Sequence, residues 1–223
     1  MTKTWDALFT AILITCAILT TGIVAKRELF AQPSNSELGN RQPVFVKNWE
    51  SLEKEGIRIG PASARVRLTE FSDFECPFCG TLHNDIASLL LRYPGQISLT
   101  YIHFPLPMHR FARLAARAAE CGDEQGKFVP MYDSLFKEQD LFGIKTWSDY
   151  ASEAGVPNLS KFDSCMKETA PLPRIETGVA LGKKMDIQFT PTLIINGWRL
   201  GGTPSATEME SMVRAVLDGK PPV

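Results

Sequence analysis

The spacing of apolar and polar residues changes several times along the chain, and each change marks a predicted segment. An uncharged apolar run extends from Ala7 to Ala25. This length is enough to cross the hydrocarbon core of a membrane. Residues 1–25 are therefore predicted to form a membrane-targeting helix, either a retained anchor or a signal segment that is removed. Residues 26–43 are polar, contain Pro, Ser, Asn and Gly, and lack an apolar period, which is typical of a flexible tether.

From residue 44 onward the pattern predicts a mixture of strands and helices. In chain order these are a short helix from Asn48 to Glu55, a strand at 65–71, a helix at about 81–93, a strand at 96–104, a wholly helical stretch at about 108–185, a hairpin at Asn196-Gly197, and a helix ending at Leu217. Asn48 is a residue type that caps helices, and Asn-Gly is the strongest short hairpin signal. The helical stretch is predicted to be a lobe inserted into a single α/β domain, residues 44–223.

The first long strand contains an acidic residue at an apolar position. Val66, Leu68 and Glu70 alternate along it and share one face. Because the other two side chains are apolar, Glu70 is expected to be buried. A desolvated carboxyl has a raised pKa, which suits a residue that passes a proton to a neighbouring thiol. The alternative is a partly exposed glutamate at the end of the strand.

Composition and charge bear on whether the protein binds nucleic acid. The 24 Lys and Arg residues nearly balance the 25 Asp and Glu residues, and the formal net charge is -1. The sequence has no basic stripe with interleaved aromatic residues, so it argues against a nucleic-acid partner.

Four of the five cysteines lie outside the apolar N-terminal run, which contains Cys16. An even number is expected of an exported protein that forms disulfides. Cys121 and Cys165 fall near the ends of two predicted helices. A disulfide between them would close a loop of 43 intervening residues, and two free buried thiols are the alternative.

The other two cysteines form the motif Cys76-Pro77-Phe78-Cys79. A zinc site would need further ligands at a suitable spacing, and haem attachment would need His where Gly80 stands. A purely structural disulfide and a redox-active dithiol remain, and the predicted helix after the motif favours the second. At a helix N-terminus the sulfur of Cys76 would lie near free N–H groups that stabilise a thiolate.

Proline suits the first position of such a helix, and Cys79 follows one turn later. Cys76 is therefore predicted to be the exposed nucleophile and Cys79 the resolving thiol. His83, a further turn along, could face the site, but a solvated helix position is the expectation.

Three stretches, FSDFECPFC, AECGDEQGKF and FTPTLIINGWRLGG, together resemble the DsbA-like branch of thiol-disulfide oxidoreductases. The resemblance covers nearly all of the chain beyond the tether. It implies a thioredoxin-like fold with an inserted helical lobe and a redox-active disulfide that needs no cofactor and no metal. It also implies exported proteins with cysteines as substrates, and a membrane redox partner that is linked to quinones.

The resemblance further assigns roles to individual residues. Glu70 matches the family's buried acid, and Thr190-Pro191 matches a cis bond that faces the dithiol and binds the substrate chain. Pro77 and Phe78, between the cysteines, are expected to contact the substrate as well. Read without the family, Pro191 is a proline that begins a strand.

The sequence departs from the best-known family member at two positions. Phe78 replaces a histidine that helps to hold the thiolate, and Phe cannot donate a hydrogen bond. The strand at 96–104 also lacks the lysine that pairs with the buried acid, and Thr100 is the nearest candidate by position. We therefore expect a milder oxidant and a Glu70 that is protonated more readily.

Taken together, these features predict an enzyme on the outer side of a bacterial inner membrane that oxidises cysteine pairs in exported proteins. Removal of the N-terminal segment would instead release it into the periplasm. A reductase or isomerase of the same fold, and a binding module without turnover, are the alternative functions.

Overall fold

A six-stranded sheet forms the centre of the protein in a computed structural model that describes residues 42–223. The predicted membrane segment and most of the predicted tether lie outside the described residues. None of the helices within residues 42–223 has the length and apolar character needed to span a membrane.

The elements follow one another in mixed α/β order. The strands are β1 (Val44–Phe45), β2 (Ile57–Ile59), β3 (Val66–Ser72), β4 (Ile97–His103), β5 (Thr192–Ile195) and β6 (Trp198–Arg199). The helices are α1 (Pro77–Arg92), α2 (Ala112–Asp123), α3 (Phe128–Lys137), α4 (Trp147–Glu153), α5 (Leu159–Lys167), α6 (Pro173–Lys184) and α7 (Ala206–Leu217), with short 3-10 helices at Trp49–Lys54 and Gln139–Leu141. The strand order is β1-β6-β5-β3-β4-β2, and only β3 and β4 are parallel.

Strand β3 is central and nearly all of its side chains are buried. One face, with Val66 and Leu68, belongs to the larger core that includes α1, α7 and the helical lobe. The opposite face, with Phe71, packs in a second and smaller core. Glu70 lies on the first face, so the alternation of the strand directs its carboxyl toward α1 and the lobe.

Helices α2 to α6 lie between β4 and β5 in the chain, as the sequence predicts for the inserted lobe. Small residues on α2, among them Ala115 and Ala118, are fully buried and let α3 approach closely. A Cβ at Gly122 would come within van der Waals overlap of Met131. The structure contains a disulfide between Cys121 near the end of α2 and Cys165 in α5.

Two local predictions have different outcomes. The hairpin at Asn196-Gly197 is confirmed: both residues have positive φ, and the Asn196 side-chain oxygen accepts from the Arg67 N–H at 2.8 Å. The predicted cap at Asn48 is wrong. Asn48 itself adopts a left-handed conformation with φ of 55°, and its side chain makes no capping hydrogen bond to the short 3-10 helix that follows.

Candidate active site

The two cysteines of the motif lie at the start of α1 as free thiols. Cys76 is the extended residue before the helix, and Pro77 is its first residue, where no N–H is needed. The Asp73 carboxylate accepts the Glu75 N–H at 2.8 Å and the Asp73 carbonyl accepts the Cys76 N–H at 3.1 Å. This turn holds the dithiol at the helix N-terminus.

Cys76 is less accessible than the sequence predicted. It is 4% exposed, while Cys79 is fully buried. Cys76 therefore remains the more accessible sulfur, but the prediction of an exposed nucleophile is wrong. The cause is tertiary: the Thr190 carbonyl lies 3.3 Å from the Cys76 sulfur and accepts its S–H.

The two thiols have opposite acid strengths. A hydrogen bond from the Cys79 thiol, aided by the N–H groups of Cys79 and Phe78, lowers the pKa of Cys76 to about 6 against the effect of burial. Burial raises the pKa of Cys79, and the hydrogen bond to Cys76 raises it further. Near neutral pH, Cys76 is therefore the thiolate and Cys79 keeps its proton, which is the division of roles that disulfide exchange requires.

The loop before β5 faces the dithiol. The Thr190-Pro191 bond is cis, as the resemblance implies, and both residues are buried. The main chain of Thr190 thus contacts Cys76, although the two residues are 114 positions apart in the sequence. Phe78 is 67% exposed on the outer side of α1, and Pro77 is exposed next to it. The structure therefore brings together Cys76, Cys79, Thr190 and Pro191, with Pro77 and Phe78 at the rim.

Glu70 is fully buried, as its position in the strand pattern predicts. Neither of its carboxylate oxygens has a hydrogen-bond partner in the described part of the chain. Burial raises its pKa from the usual 4.5 to about 7; the nearby Ser72 hydroxyl limits the rise, and charge on Cys76 adds to it. Charge on Glu70 in turn raises the pKa of Cys79, so the acid and the resolving thiol are coupled.

The residue beside Glu70 in the sheet is not the one that the sequence suggested. In the register of β3 and β4, Thr100 lies opposite Thr69, and Tyr101 lies opposite Glu70. Tyr101 is fully buried on the same face as Glu70. Position in the sequence alone cannot fix a strand register, and a one-residue shift exchanges the two faces of a strand.

Replacing Glu70 with Gln is expected to change how stability depends on pH. Between pH 4.5 and about 7 the unfolded chain has an ionised Glu70 while the folded protein keeps the proton, so the contribution of Glu70 to the wild-type free energy of unfolding falls as pH rises. The shift corresponds to a loss of up to about 3 kcal/mol, which the Gln variant lacks. The difference in free energy of unfolding between the two reduced proteins is measured by urea unfolding at about pH 4 to 8. A wild-type minus variant difference that stays constant with pH would contradict a raised pKa at Glu70.

Two further side chains, which no sequence motif predicts, position the segment that contains the dithiol. The side-chain amide of Gln139 donates to the carbonyls of Phe74 and Cys76, the latter at 3.0 Å, and so ties the start of α1 to the lobe. A Cβ at Gly80 would overlap this amide, which explains a glycine within the first turns of α1. Asp73 is buried and accepts the Leu106 N–H as well as a 2.7 Å hydrogen bond from His109. No spacing in the sequence points to these contacts between distant segments.

The structure differs most from the sequence prediction at His83. It is buried, not solvated, and its ring stacks on Phe136 and meets the edge of Tyr132. Its Nε2 lies 2.9 Å from the Asp133 carboxylate. The lobe covers this side of α1, which the local helical pattern could not indicate. Among residues 42–223, no three His, Cys, Asp or Glu side chains are grouped as a metal site would require.

The fold and the dithiol at the start of α1 define a protein of the thioredoxin class, and comparison with known proteins agrees. The family model described as Thioredoxin matches residues 52–215, more than half of the chain. The chain belongs to this family.

Solved structures share the thioredoxin-like fold with a helical insertion. BdbD from Bacillus subtilis, in its oxidised form, superimposes with a TM-score of 0.67 at 21% identity, covering 80% of this chain and 100% of that chain. The thiol-disulfide exchange protein alpha-DsbA2 from Wolbachia pipientis gives a TM-score of 0.64 at 18% identity, covering 75% and 93%. The predicted DsbA-like fold is thereby confirmed.

Curated relatives with higher sequence identity are much longer proteins. Na(+)/H(+) antiporter NhaA 1 from Mycolicibacterium gilvum is 33% identical over 186 residues, which cover 80% of this chain and 29% of that protein. Na(+)/H(+) antiporter NhaA from Herminiimonas arsenicoxydans is 30% identical, covering 72% of this chain and 25% of that protein. The chain spans less than a third of the length of these relatives.

Proposed function

We propose that this protein is an extracytoplasmic dithiol-disulfide oxidoreductase that transfers its Cys76–Cys79 disulfide to cysteine pairs of exported proteins. The observation that carries the proposal is that the pKa values of the two thiols at one helix N-terminus are shifted in opposite directions. Cys76 has a pKa of about 6 and Cys79 a raised one. Thiol-disulfide exchange needs one sulfur that is stable as a thiolate and a second that closes on it.

The reaction follows from this arrangement. A substrate thiolate attacks the Cys76 sulfur of the oxidised protein, the bond between Cys76 and Cys79 breaks, and Cys79 leaves with the electron pair. Because the pKa of Cys79 is raised, this sulfur then takes up a proton, and Glu70 is the adjacent acid. A second substrate thiolate attacks the substrate sulfur of the mixed disulfide, and Cys76 leaves as a thiolate. The substrate cysteine pair loses two electrons and becomes a disulfide, and the Cys76–Cys79 disulfide gains two electrons and becomes the dithiol.

Thr190 and Pro191 are proposed to bind the substrate chain beside Cys76. In the reduced protein the Thr190 carbonyl accepts the Cys76 S–H. The oxidised protein has no S–H on Cys76, so this carbonyl can accept a main-chain N–H of the substrate beside the reacting sulfur. Pro77 and the exposed ring of Phe78 would contact apolar residues of the substrate. An extended chain that pairs with main-chain groups explains how substrates of different sequence are accepted.

The low pKa of Cys76 favours the oxidising direction. A protein whose reduced form contains a stabilised thiolate gives up its disulfide readily. Phe78 adds no hydrogen bond to this thiolate, so we expect an oxidant milder than one with a donor at that position. A membrane protein linked to quinones would restore the disulfide. We propose residues 1–25 as anchor or signal, 26–43 as tether and 44–223 as the catalytic domain.

The reduction potential tests the direction. Equilibration with glutathione buffers, followed by alkylation of free thiols, is expected to give a value clearly less negative than the roughly −270 mV of thioredoxin. The Phe78→His variant should shift it further in the oxidising direction, because a donor next to the thiolate stabilises the reduced form. A value at or below that of thioredoxin would favour a reductase and defeat the oxidase proposal.

A further inference from the structure

A row of buried polar groups without hydrogen-bond partners extends from Glu70 into the helical lobe. The atoms of this row are both carboxylate oxygens of Glu70, the hydroxyls of Tyr101 and Tyr132, and Nδ1 of His83. Within residues 42–223, Nδ1 of His103 and the hydroxyls of Thr69, Ser72 and Thr190 are buried without partners as well. Most buried polar groups in proteins are hydrogen-bonded, so a cluster of unpartnered ones calls for an explanation. The dithiol chemistry described above does not use Tyr101, Tyr132 or His83.

These groups are ordered in space from the interior to the surface. Tyr101 is the register partner of Glu70, and the rings of Tyr101 and Tyr132 have centroids 5.3 Å apart. The ring of His83 follows at 4.8 Å from Tyr132. Nε2 of His83 reaches the carboxylate of Asp133, whose side chain is 59% exposed. Neighbouring rings therefore lie in a continuous series between a fully buried acid and an exposed carboxylate.

The proposed reaction creates a need for such a connection. Cys79 must gain a proton when its disulfide opens, and neither Cys79 nor Glu70 touches solvent. Cys76 is nearly covered in the free protein, and in the mixed disulfide the substrate covers it further. A proton that Glu70 donates must then be replaced from another side.

The hydroxyls are in the protonation state that transfer requires. Burial, followed by the charge of Glu70, raises the pKa of both Tyr101 and Tyr132, so both phenols stay protonated. A phenol can accept one proton and release another without a net change. No direct hydrogen bond joins one group to the next, so each proton transfer needs either rotation of a hydroxyl or a bridging water. Buried waters usually bind at polar groups that have no protein partner.

The other charged groups around the cluster give a proton less direct access to solvent. Asp73 faces Tyr101 and Cys76 faces Glu70 from the active-site turn, and the Asp73 oxygens already accept hydrogen bonds from Glu75, Leu106 and His109. The ring of His103 lies 5.1 Å from that of Tyr101, and its Nε2 is hydrogen-bonded to the Glu120 carboxylate. The Glu120 side chain is 11% exposed and held by Arg174. The path through His103 is the rival to the path through His83.

We propose that Tyr101, Tyr132 and His83 form a proton-transfer route that connects Glu70 with solvent at Asp133. In each oxidising turnover Glu70 gives one proton to the leaving Cys79 sulfur, and one proton from solvent passes inward along the route to restore Glu70. The reverse transfer accompanies re-oxidation of the dithiol. The inference rests on the proposed disulfide exchange, and the three residues act through Glu70 as positioning residues.

The Tyr132→Phe variant tests the route because it removes one hydroxyl that makes no hydrogen bond and leaves the ring packing intact. The rate at which dithiothreitol reduces the oxidised protein is measured by rapid mixing over a range of pH, in water and in heavy water. We expect the rate of disulfide reduction near neutral pH to fall about tenfold. This loss is smaller than the loss that removal of a direct general acid would cause, because protons can still enter more slowly from the side of the dithiol. The solvent isotope effect should rise. The reduction potential should not change, because equilibrium does not depend on the route.

Tyr150→Phe is the matched control, since Tyr150 is a fully buried tyrosine of the lobe whose hydroxyl bonds to the Glu138 carbonyl. Its rate, pH profile and isotope effect should equal those of the wild type. If Tyr132→Phe does not fold, His83→Gln serves as the second variant with the same expected loss. Wild-type kinetics in a folded Tyr132→Phe or His83→Gln protein would overturn the proposal, as would a loss seen only in His103→Gln. Failure of the wild type to react through Cys76 would instead refute the proposed function.

Discussion

The Cys79→Ala variant is expected to cleave a disulfide-linked peptide dimer once and then to remain joined to one peptide through Cys76. The Cys76 thiolate attacks the peptide disulfide and releases one peptide as a thiol. In the wild type, Cys79 then attacks the Cys76 sulfur and frees the second peptide, which gives an oxidised protein. Without that sulfur the mixed disulfide accumulates, and turnover should fall to the rate of uncatalysed exchange. Mass spectrometry under acid quench measures the adduct.

The pH of this experiment matters because Cys79 is the main cause of the acidity of Cys76. Removal of its thiol removes the hydrogen bond that lowers the pKa of Cys76 most. The pKa of Cys76 should therefore move toward the ordinary cysteine value of about 8.5. Trapping by the variant should be slow at neutral pH and should accelerate as pH rises through that value, whereas the wild type already reacts near pH 6 to 7.

Cys76→Ala provides the control. It retains Cys79, which is fully buried and has a raised pKa, so it should form no adduct. If Cys79→Ala leaves the peptide dimer intact at a pH where Cys76 is ionised, the disulfide-exchange function is refuted. Binding of the same peptide without an adduct would then support a module that holds extended chains.

The same variant also tests the proposed location. In intact bacterial cells its mixed disulfides should form with exported proteins, and a thiol reagent that cannot cross the inner membrane should reach Cys76 in spheroplasts after reduction. Adducts with cytoplasmic proteins alone would place the domain on the other side of the membrane.

Removal of the disulfide of the lobe is expected to lower the free energy of unfolding by about 4 kcal/mol in the chain-entropy model. Cys121 and Cys165 are separated by 44 positions, and their bond restricts the unfolded chain over that loop. It also ties α2 to α5 in the folded lobe. Urea unfolding of the Cys121→Ala/Cys165→Ala double variant, compared with the wild type, measures the difference.

The state of these cysteines is checked separately. Alkylation of the denatured, unreduced protein should leave Cys121 and Cys165 unlabelled, and both should react after reduction. Labelling without reduction would show that the bond is absent. Because the lobe packs against Phe74 and the start of α1, we expect the double variant to retain the dithiol chemistry with a lower midpoint of unfolding.

The sequence predicted the elements well where local rules dominate. The dithiol before a helix, the strand with an acid among apolar residues, the Asn196-Gly197 hairpin and the block of helices are all present. Each depends on contacts between residues that are near in the chain: a proline that begins a helix, a side-chain period, or a turn that needs positive φ. The DsbA-like motifs added the cis bond at Thr190-Pro191, which no local rule predicts.

The errors share a physical cause. The local pattern predicts a solvated His83, an exposed Cys76 and Thr100 as the neighbour of Glu70, and the structure differs at all three. In each case a distant segment decides the outcome: α3 covers His83, the loop at Thr190 covers Cys76, and the pairing of β3 with β4 brings Tyr101 beside Glu70. Burial by a segment far along the chain leaves no trace in a local pattern.

By itself, the sequence determined that this protein has a dithiol at a helix start, a buried acid one strand earlier and a helical lobe. These features set the type of chemistry. Only the tertiary structure decided the acidities of Cys76 and Cys79, because they depend on burial and on hydrogen bonds between packed groups. It also decided which polar groups surround Glu70, because register and lobe packing bring Tyr101, Tyr132 and His83 together from separate parts of the chain.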